Sequence, residues 1–371
     1  MASNREIKGI AVSYLLAVVG TILANETFVL KDILYVLKSS PPSYRNTQEV
    51  YFIWFGFCPA LFLFLNGYTM ALAFKSKKQS GKRLMSHYSR RGIVLFLLGL
   101  LFVGFWPVNI LVIAGVCFFI SPLFIRWDSL VLQILLFSVV LSSAVLGNLD
   151  VPIYPSYSGV SITEANAMDV VGFLFFNGYY SVFPWVSFFI LGIIYGKMNL
   201  KVRGWMPPAA ILGAIAMLCG IAIQPFMNKL FGEVGQLNIF AIQGLNIRFH
   251  SFSFILFESG AVVLTTSVIN FLAKKWNETE KGAKVINSID RFSSSKYTLY
   301  FFVCLQTGVL WSLIKGGNQA RIYWFKGAQT LIPASIFMLV ISFLLVLWWK
   351  KKVTDKAPVE WLLKNISGSR K

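Results

Sequence analysis

Long apolar runs, broken by short polar links, recur along the whole of the 371-residue chain. A helix that crosses the ~30 Å hydrocarbon core needs about 20 predominantly apolar residues. On that ruler ten stretches qualify, near 8–26, 51–74, 92–106, 108–125, 129–147, 170–196, 208–226, 251–273, 297–315 and 331–349. The pattern predicts an all-α, polytopic membrane protein of about ten transmembrane helices. No connection is long enough to fold alone, so residues 1–371 read as a single integral-membrane domain. The pair 92–106 and 108–125 is the sensitive one. Only Pro107 parts two slightly short runs, and a single kinked element there would leave nine spans and invert everything downstream.

Charge favours the ten-span register. Lys and Arg beside hydrophobic spans are retained on the cytoplasmic side. With ten spans and both termini cytoplasmic, 26 of the 34 Lys and Arg fall inside and 8 outside. One of the two largest inside groups, KSKKQSGKRLMSHYSRR from Lys75 to Arg91, is predicted to be a short basic loop. The expected location is therefore a plasma (inner) membrane, crossed many times.

Composition agrees, because a soluble fold could not cover the apolar surface of a chain that is 56% hydrophobic and 13% charged. The net charge of +19 does not indicate nucleic acid. Its basic residues lie in short clusters between apolar runs, not on one accessible face, and anionic lipid headgroups are the simpler partner. Cys58, Cys117, Cys219 and Cys304 each fall within an apolar run and read as small core residues. The chain has neither a phosphate-binding glycine loop nor Cys, His and Asp at metal-ligand spacing, so no metal is expected.

Polar residues inside apolar runs carry the candidate chemistry. The first span closes on Asn25 and Glu26, either because the helix ends at the interface or because these groups serve a site. Glu258 lies mid-span in FILFESGAVV and must be neutral, paired or lining a cavity there. Asn66, Asn177, Gln224 and Gln306 read as glue between helices. Pro184 and Trp185 should kink or start the sixth span, and Gly192 and Gly196 allow a neighbouring helix close. The connections 27–50, 148–169, 227–250 and 316–330, all on the outer side, are rich in polar and aromatic residues. They form a substrate vestibule or an interfacial belt.

Several blocks also resemble one family. The opening KGIAVSYLLAVVGTILAN, then PALFLFLNGYTMAL at 59–72 and KRLMSHYSRRGIVLFLLGLLF, resemble the start of the transmembrane acyltransferase group. That group includes the heparan-alpha-glucosaminide N-acetyltransferase-like and YeiB-like membrane proteins. VFPWVSFFILGIIYG at 182–196, FHSFSFILFESGAVVL at 249–264 and APVEWLLKNISG at 357–368 are similar to its later segments.

The resemblance implies transfer of an acyl group, acetyl first, from acetyl-CoA or another acyl-CoA to a hydroxyl or amine of a sugar or glycan near the outer face. The phosphates of CoA call for Arg forks or Lys charges at a cytoplasmic mouth, which Lys82, Arg83, Arg90 and Arg91 offer, with His87 beside them. Acyl transfer needs a general base, and His250, Glu258 and Asn25 are the candidates for the reacting end. Two departures stand out. The family carries its catalytic His in the first outer loop, where this chain has Tyr44, Arg45, Asn46 and Glu49 and no His, and an Asp of the family is Asn109 here. The alternative function is a secondary transporter or exporter of a lipid-linked or sugar substrate, with Glu258 as its coupling group. A non-catalytic scaffold is the third.

Overall fold

The computed structural model describes residues 9–23, 43–76, 81–103, 109–148, 174–175, 180–201, 204–231, 252–315 and 328–367. These residues are helical, with no strand among them. In chain order the helices are α1 (Gly9–Leu23), α2 (Ser43–Ser76), α3 (Gly81–Val103), α4 (Ile110–Phe124), α5 (Ser129–Asn148) and α6 (Val182–Lys201). They continue with α7 (Met206–Phe231), α8 (Phe252–Trp276), α9 (Glu280–Ser293), α10 (Lys296–Lys315), α11 (Ala328–Lys352) and α12 (Pro358–Ile366).

Three of the described stretches are long and apolar enough to cross a membrane: Gly56–Phe74, Met206–Ile223 and Phe252–Trp276. Shorter apolar helices run over Gly9–Leu23, Ile110–Phe124, Ser129–Ser142 and Val182–Met198.

Several helices outrun their apolar stretches. α2 begins at Ser43, ahead of the expected start at 51, and takes up part of the expected outer loop 27–50. α3 begins at Gly81, not 92, so much of the block expected as a basic loop is helix. The reason is that hydropathy measures what a bilayer tolerates, whereas Lys, Arg, Leu and Met carry helix propensity into water. At α6 the described helix starts at Val182, and Phe183, at φ −98° and ψ 122°, is not helical. Thus the Pro184–Trp185 pair stands at the start of α6, where proline is tolerated. Residues 24–42, 149–173, 232–251 and 316–327, which hold most of the expected outer loops, lie outside the described residues.

α3 and α4 are two helices, not one kinked element. Asn109 makes the turn: its Oδ1 accepts the Leu111 N–H at 2.9 Å as an N-cap. Its Nδ2 donates to the Gly99 carbonyl at 3.0 Å. The two helices pack antiparallel, Gly99 against Val112 and Gly92 against Phe119. α7 and α8 are antiparallel too, Gly213 facing Leu264 and Gly220 facing Phe257.

α2 and α6 instead run parallel, Gly192 lying on Phe64 and Gly196 on Ala71. A Cβ on Gly192 would collide with the Phe64 carbonyl oxygen, and one on Gly67 with that of Phe189, so only hydrogen fits at this crossing. Around it lies the core: Phe62, Phe64, Tyr68, Trp185, Phe188 and Phe189 are fully buried. α5, α7 and α11 turn the other way and expose Ile134, Phe137, Ile215, Leu218, Phe337 and Leu344. Outward apolar faces over a polar-seamed core are the arrangement lipid requires. Cys58, Cys117 and Cys304 are buried as expected; Cys219 is exposed, because it sits on the outward face of α7.

Candidate functional site

The basic end of the bundle, where α2 stops and α3 starts, holds a cluster drawn from several helices. Residues 87, 88 and 91 of α3 fall on one helical face. His87, Tyr88 and Arg91 are half-buried, whereas Arg90 is exposed. The Tyr88 ring stacks on Phe118 of α4 at 5.9 Å, and Phe118 meets Tyr297 of α10 edge-on at 6.4 Å. Arg91 lies close enough to act electrostatically on Tyr14, Tyr88, Lys296 and Tyr297.

Asn66 of α2 is the hub. It is 1% exposed, and its Oδ1 accepts the hydroxyls of Tyr14 and Tyr297, both at 2.9 Å. The Tyr14 hydroxyl also shares a hydrogen bond with Thr69 Oγ1 at 3.1 Å. Asn66 Nδ2 is buried with no partner among the described residues. Above this triad the Lys296 ammonium sits 3.1 Å from the centroid of the Tyr14 ring, a cation–π contact. Burial, with Arg91 nearby, holds the Lys296 amine well below its ordinary value, and the Glu360 carboxylate opposes the shift. Burial raises Glu360 in turn, against the hydrogen bonds it accepts from Thr298 and Tyr297.

The hydroxyls of Tyr14 and Tyr297, the Lys296 ammonium and a buried amide N–H without a partner among the described residues thus meet around Asn66, with Arg91 acting on them electrostatically. Such a set can hold an anion and orient a carbonyl.

A second locus lies on α8. Glu258 is 5% exposed and presses on Gly56 of α2, where an added Cβ would be 2.7 Å from its Oε1. Its Oε2 has no partner among the described residues. Pro59, inside α2, leaves the Phe55 carbonyl without its intrahelical donor beside the same spot. On the same face of α8 further along lie buried Thr266 and Asn270, separated from Glu258 by buried Val262. Thr266 Oγ1 and both amide atoms of Asn270 also lack partners among the described residues. Asn270 packs on Gly9 at the start of α1.

Of the residues expected from sequence, Arg91 and His87 enter the basic-end cluster and Arg90 faces out. Lys82 and Arg83 lie in the first turn of α3, with side chains outside the described residues. His87 is not a solvated loop histidine: it is on a helix, and its Nδ1 meets the Ser367 carbonyl oxygen at 3.3 Å. Asn25 and His250 lie outside the described residues. Lys296, Tyr14, Tyr297 and Glu360 were not expected. For the first three a signal was present, since a Lys-Tyr pair opens the span at 297 and Tyr14 interrupts the first apolar run, but nothing local says that these ends meet.

Residues 16–223 match the family model of the heparan-alpha-glucosaminide N-acetyltransferase catalytic region. No curated protein matches the chain significantly. Asn25, Asn66 and the Lys82–Arg91 face lie within the matched span, and Tyr14, Glu258, Lys296 and Glu360 lie beyond it. With more than half its length matched, and apolar helices able to cross a membrane, this membrane protein belongs to the heparan-alpha-glucosaminide N-acetyltransferase catalytic family.

Proposed function

We propose that the protein is a multi-pass membrane acyltransferase that moves an acyl group, acetyl first, from acyl-CoA bound at its basic end to a hydroxyl or amine of a sugar or glycan near the opposite end. The observation that carries the reading is Arg91, half-buried and acting electrostatically on Lys296 within a chain of this family.

The basic end faces the cytoplasm in this reading, with ten spans and both termini inside. Parallel packing of α2 and α6 supports it. Three spans between them leave both helices pointing the same way, whereas a merged α3–α4 would leave them opposed. Donor phosphates are held by Arg91 and Lys296, with Lys82, Arg83, Arg90 and His87 at the rim. No metal takes part in this reading. Gly56, against which Glu258 packs, is ten residues from Asn66 on α2, about 15 Å along the helix. A donor anchored by its phosphates must extend its thioester arm over that distance.

At the far end the acceptor oxygen or nitrogen attacks the thioester carbonyl carbon. Its proton passes to Glu258 or His250, Asn25 steadies the acceptor, and the C–S bond breaks to release the CoA thiol.

The test is mass analysis of surface glycans from cells expressing the protein, with Glu258→Gln and His250→Ala as controls. An added acyl mark, lost in both variants, is the expected result; sugar export without an acyl mark would favour the exporter reading, in which Glu258 couples transport.

A further inference from the structure

Helix α12 has only nine residues, yet it is built into the bundle. Val359 and Leu363 are buried in the main core, and the Ser367 carbonyl oxygen meets His87. From its first turn Glu360 reaches the first turn of α10. Its Oε1 accepts the Tyr297 N–H at 2.9 Å and the Thr298 N–H at 3.4 Å, and its Oε2 accepts the Thr298 hydroxyl. The Val359 N–H donates to Thr298 Oγ1 at 2.9 Å in return.

The first N–H groups of a helix have no intrahelical acceptor, and a carboxylate there makes charge-assisted bonds favoured by the helix dipole. The usual source is a side chain just before the helix. Here Ser295 holds that position, but its Oγ has no partner among the described residues. The cap comes instead from 62 residues downstream.

Lys296 and Tyr297, at this capped end of α10, are the residues that reach Tyr14 and Asn66. We propose that Glu360 is a positioning residue of the donor site: by capping α10 from α12 it fixes the Lys296 ammonium over Tyr14 and the Tyr297 hydroxyl on Asn66, making the C-terminal helix a fixed wall of that site. The buried Val359 and Leu363 argue for a wall that stays in place rather than a lid that opens. Asn66 Nδ2, buried and unpartnered among the described residues, is the donor left over for a bound ligand. The site's ligand as an acyl-CoA rests on the function proposed above; the positioning of Lys296 does not.

The test uses the full chain purified in detergent, titrated with CoA, and in parallel treated with formaldehyde and borohydride so that mass spectrometry reads the methylation of Lys296. Glu360→Ala should raise Lys296 labelling several-fold and weaken CoA binding about tenfold, whereas Glu360→Gln, which keeps one acceptor oxygen for the backbone N–H groups but loses the charge and the acceptor for the Thr298 hydroxyl, should fall between Glu360→Ala and wild type. Should Glu360→Ala not fold, Thr298→Val removes one partner of the carboxylate and leaves two, and must move both readouts in the same direction. Lys296 labelling unchanged in a folded variant overturns the proposal, as does unchanged CoA affinity in a wild type that binds CoA. If the wild type binds no CoA, the donor reading falls and the labelling alone decides the positioning.

Discussion

Arg90 and Arg91 are adjacent in sequence, but a helix of 3.6 residues per turn sets their side chains about 100° apart. One is left exposed and the other joins the aromatic pocket. Lys296 has the less ordinary surroundings, half-buried on a tyrosine face near Arg91, and its amine loses its proton more readily than usual. An anionic donor favours the ammonium, so binding takes up a proton wherever free Lys296 is neutral. Affinity for CoA should therefore fall as pH rises through the depressed Lys296 value. Lys296→Arg, charged throughout, should flatten that slope in a titration series.

Stability carries the opposite sign. The folded state binds fewer protons at Lys296 than the unfolded chain, so this residue adds stability as pH rises from its depressed value toward 10.5. Glu360, raised above 4.5, subtracts stability as pH climbs from that value. Lys296→Met removes an ammonium that is costly to bury and should hold or raise Tm while abolishing the pH dependence of CoA binding.

At the scale of helices, the α2–α6 crossing depends on two glycines that face backbone oxygens. Gly192→Leu should force the pair apart and destabilise the protein by about 2 kcal/mol or more, read as a lowered melting midpoint in detergent. Gly204, at φ 79° with open space around it, lies outside any such crossing.

The same scale shows what the chain disclosed on reading. Centres of apolar helices were legible, because the bilayer's demand for apolar side chains writes itself into composition. Their ends were not: the polar stretches 43–50 and 81–91 are helical, and hydropathy is blind to helix propensity. Arg91 was legible by residue type, since phosphate recognition calls for Arg. Lys296 passed as one more cation counting toward orientation. Glu360 had no signal at all, because its partners lie 62 residues away and a capping carboxylate looks in sequence like any surface acid. Asn109, singled out as a departure from the family, proves to be an N-cap that ties α3 to α4.

Over the described part of the molecule, candidate polar groups fall at two stations, one around Asn66 of α2 and one around Glu258 of α8. The basic station offers cations and aromatic faces, and the other offers a single carboxylate. That asymmetry suits a reaction whose donor is a large polyanion entering from one side and whose acceptor is neutral and approaches from the other. It also makes the basic station the place where the account is easiest to break. The direct measurement is calorimetric titration of the purified full chain with CoA, beside Arg91→Ala and Arg90→Ala. The account predicts that the wild type binds, that Arg91→Ala weakens binding about tenfold or more, and that Arg90→Ala changes it by about twofold. Absence of binding by a folded wild type, or equal losses in the two variants, would contradict it.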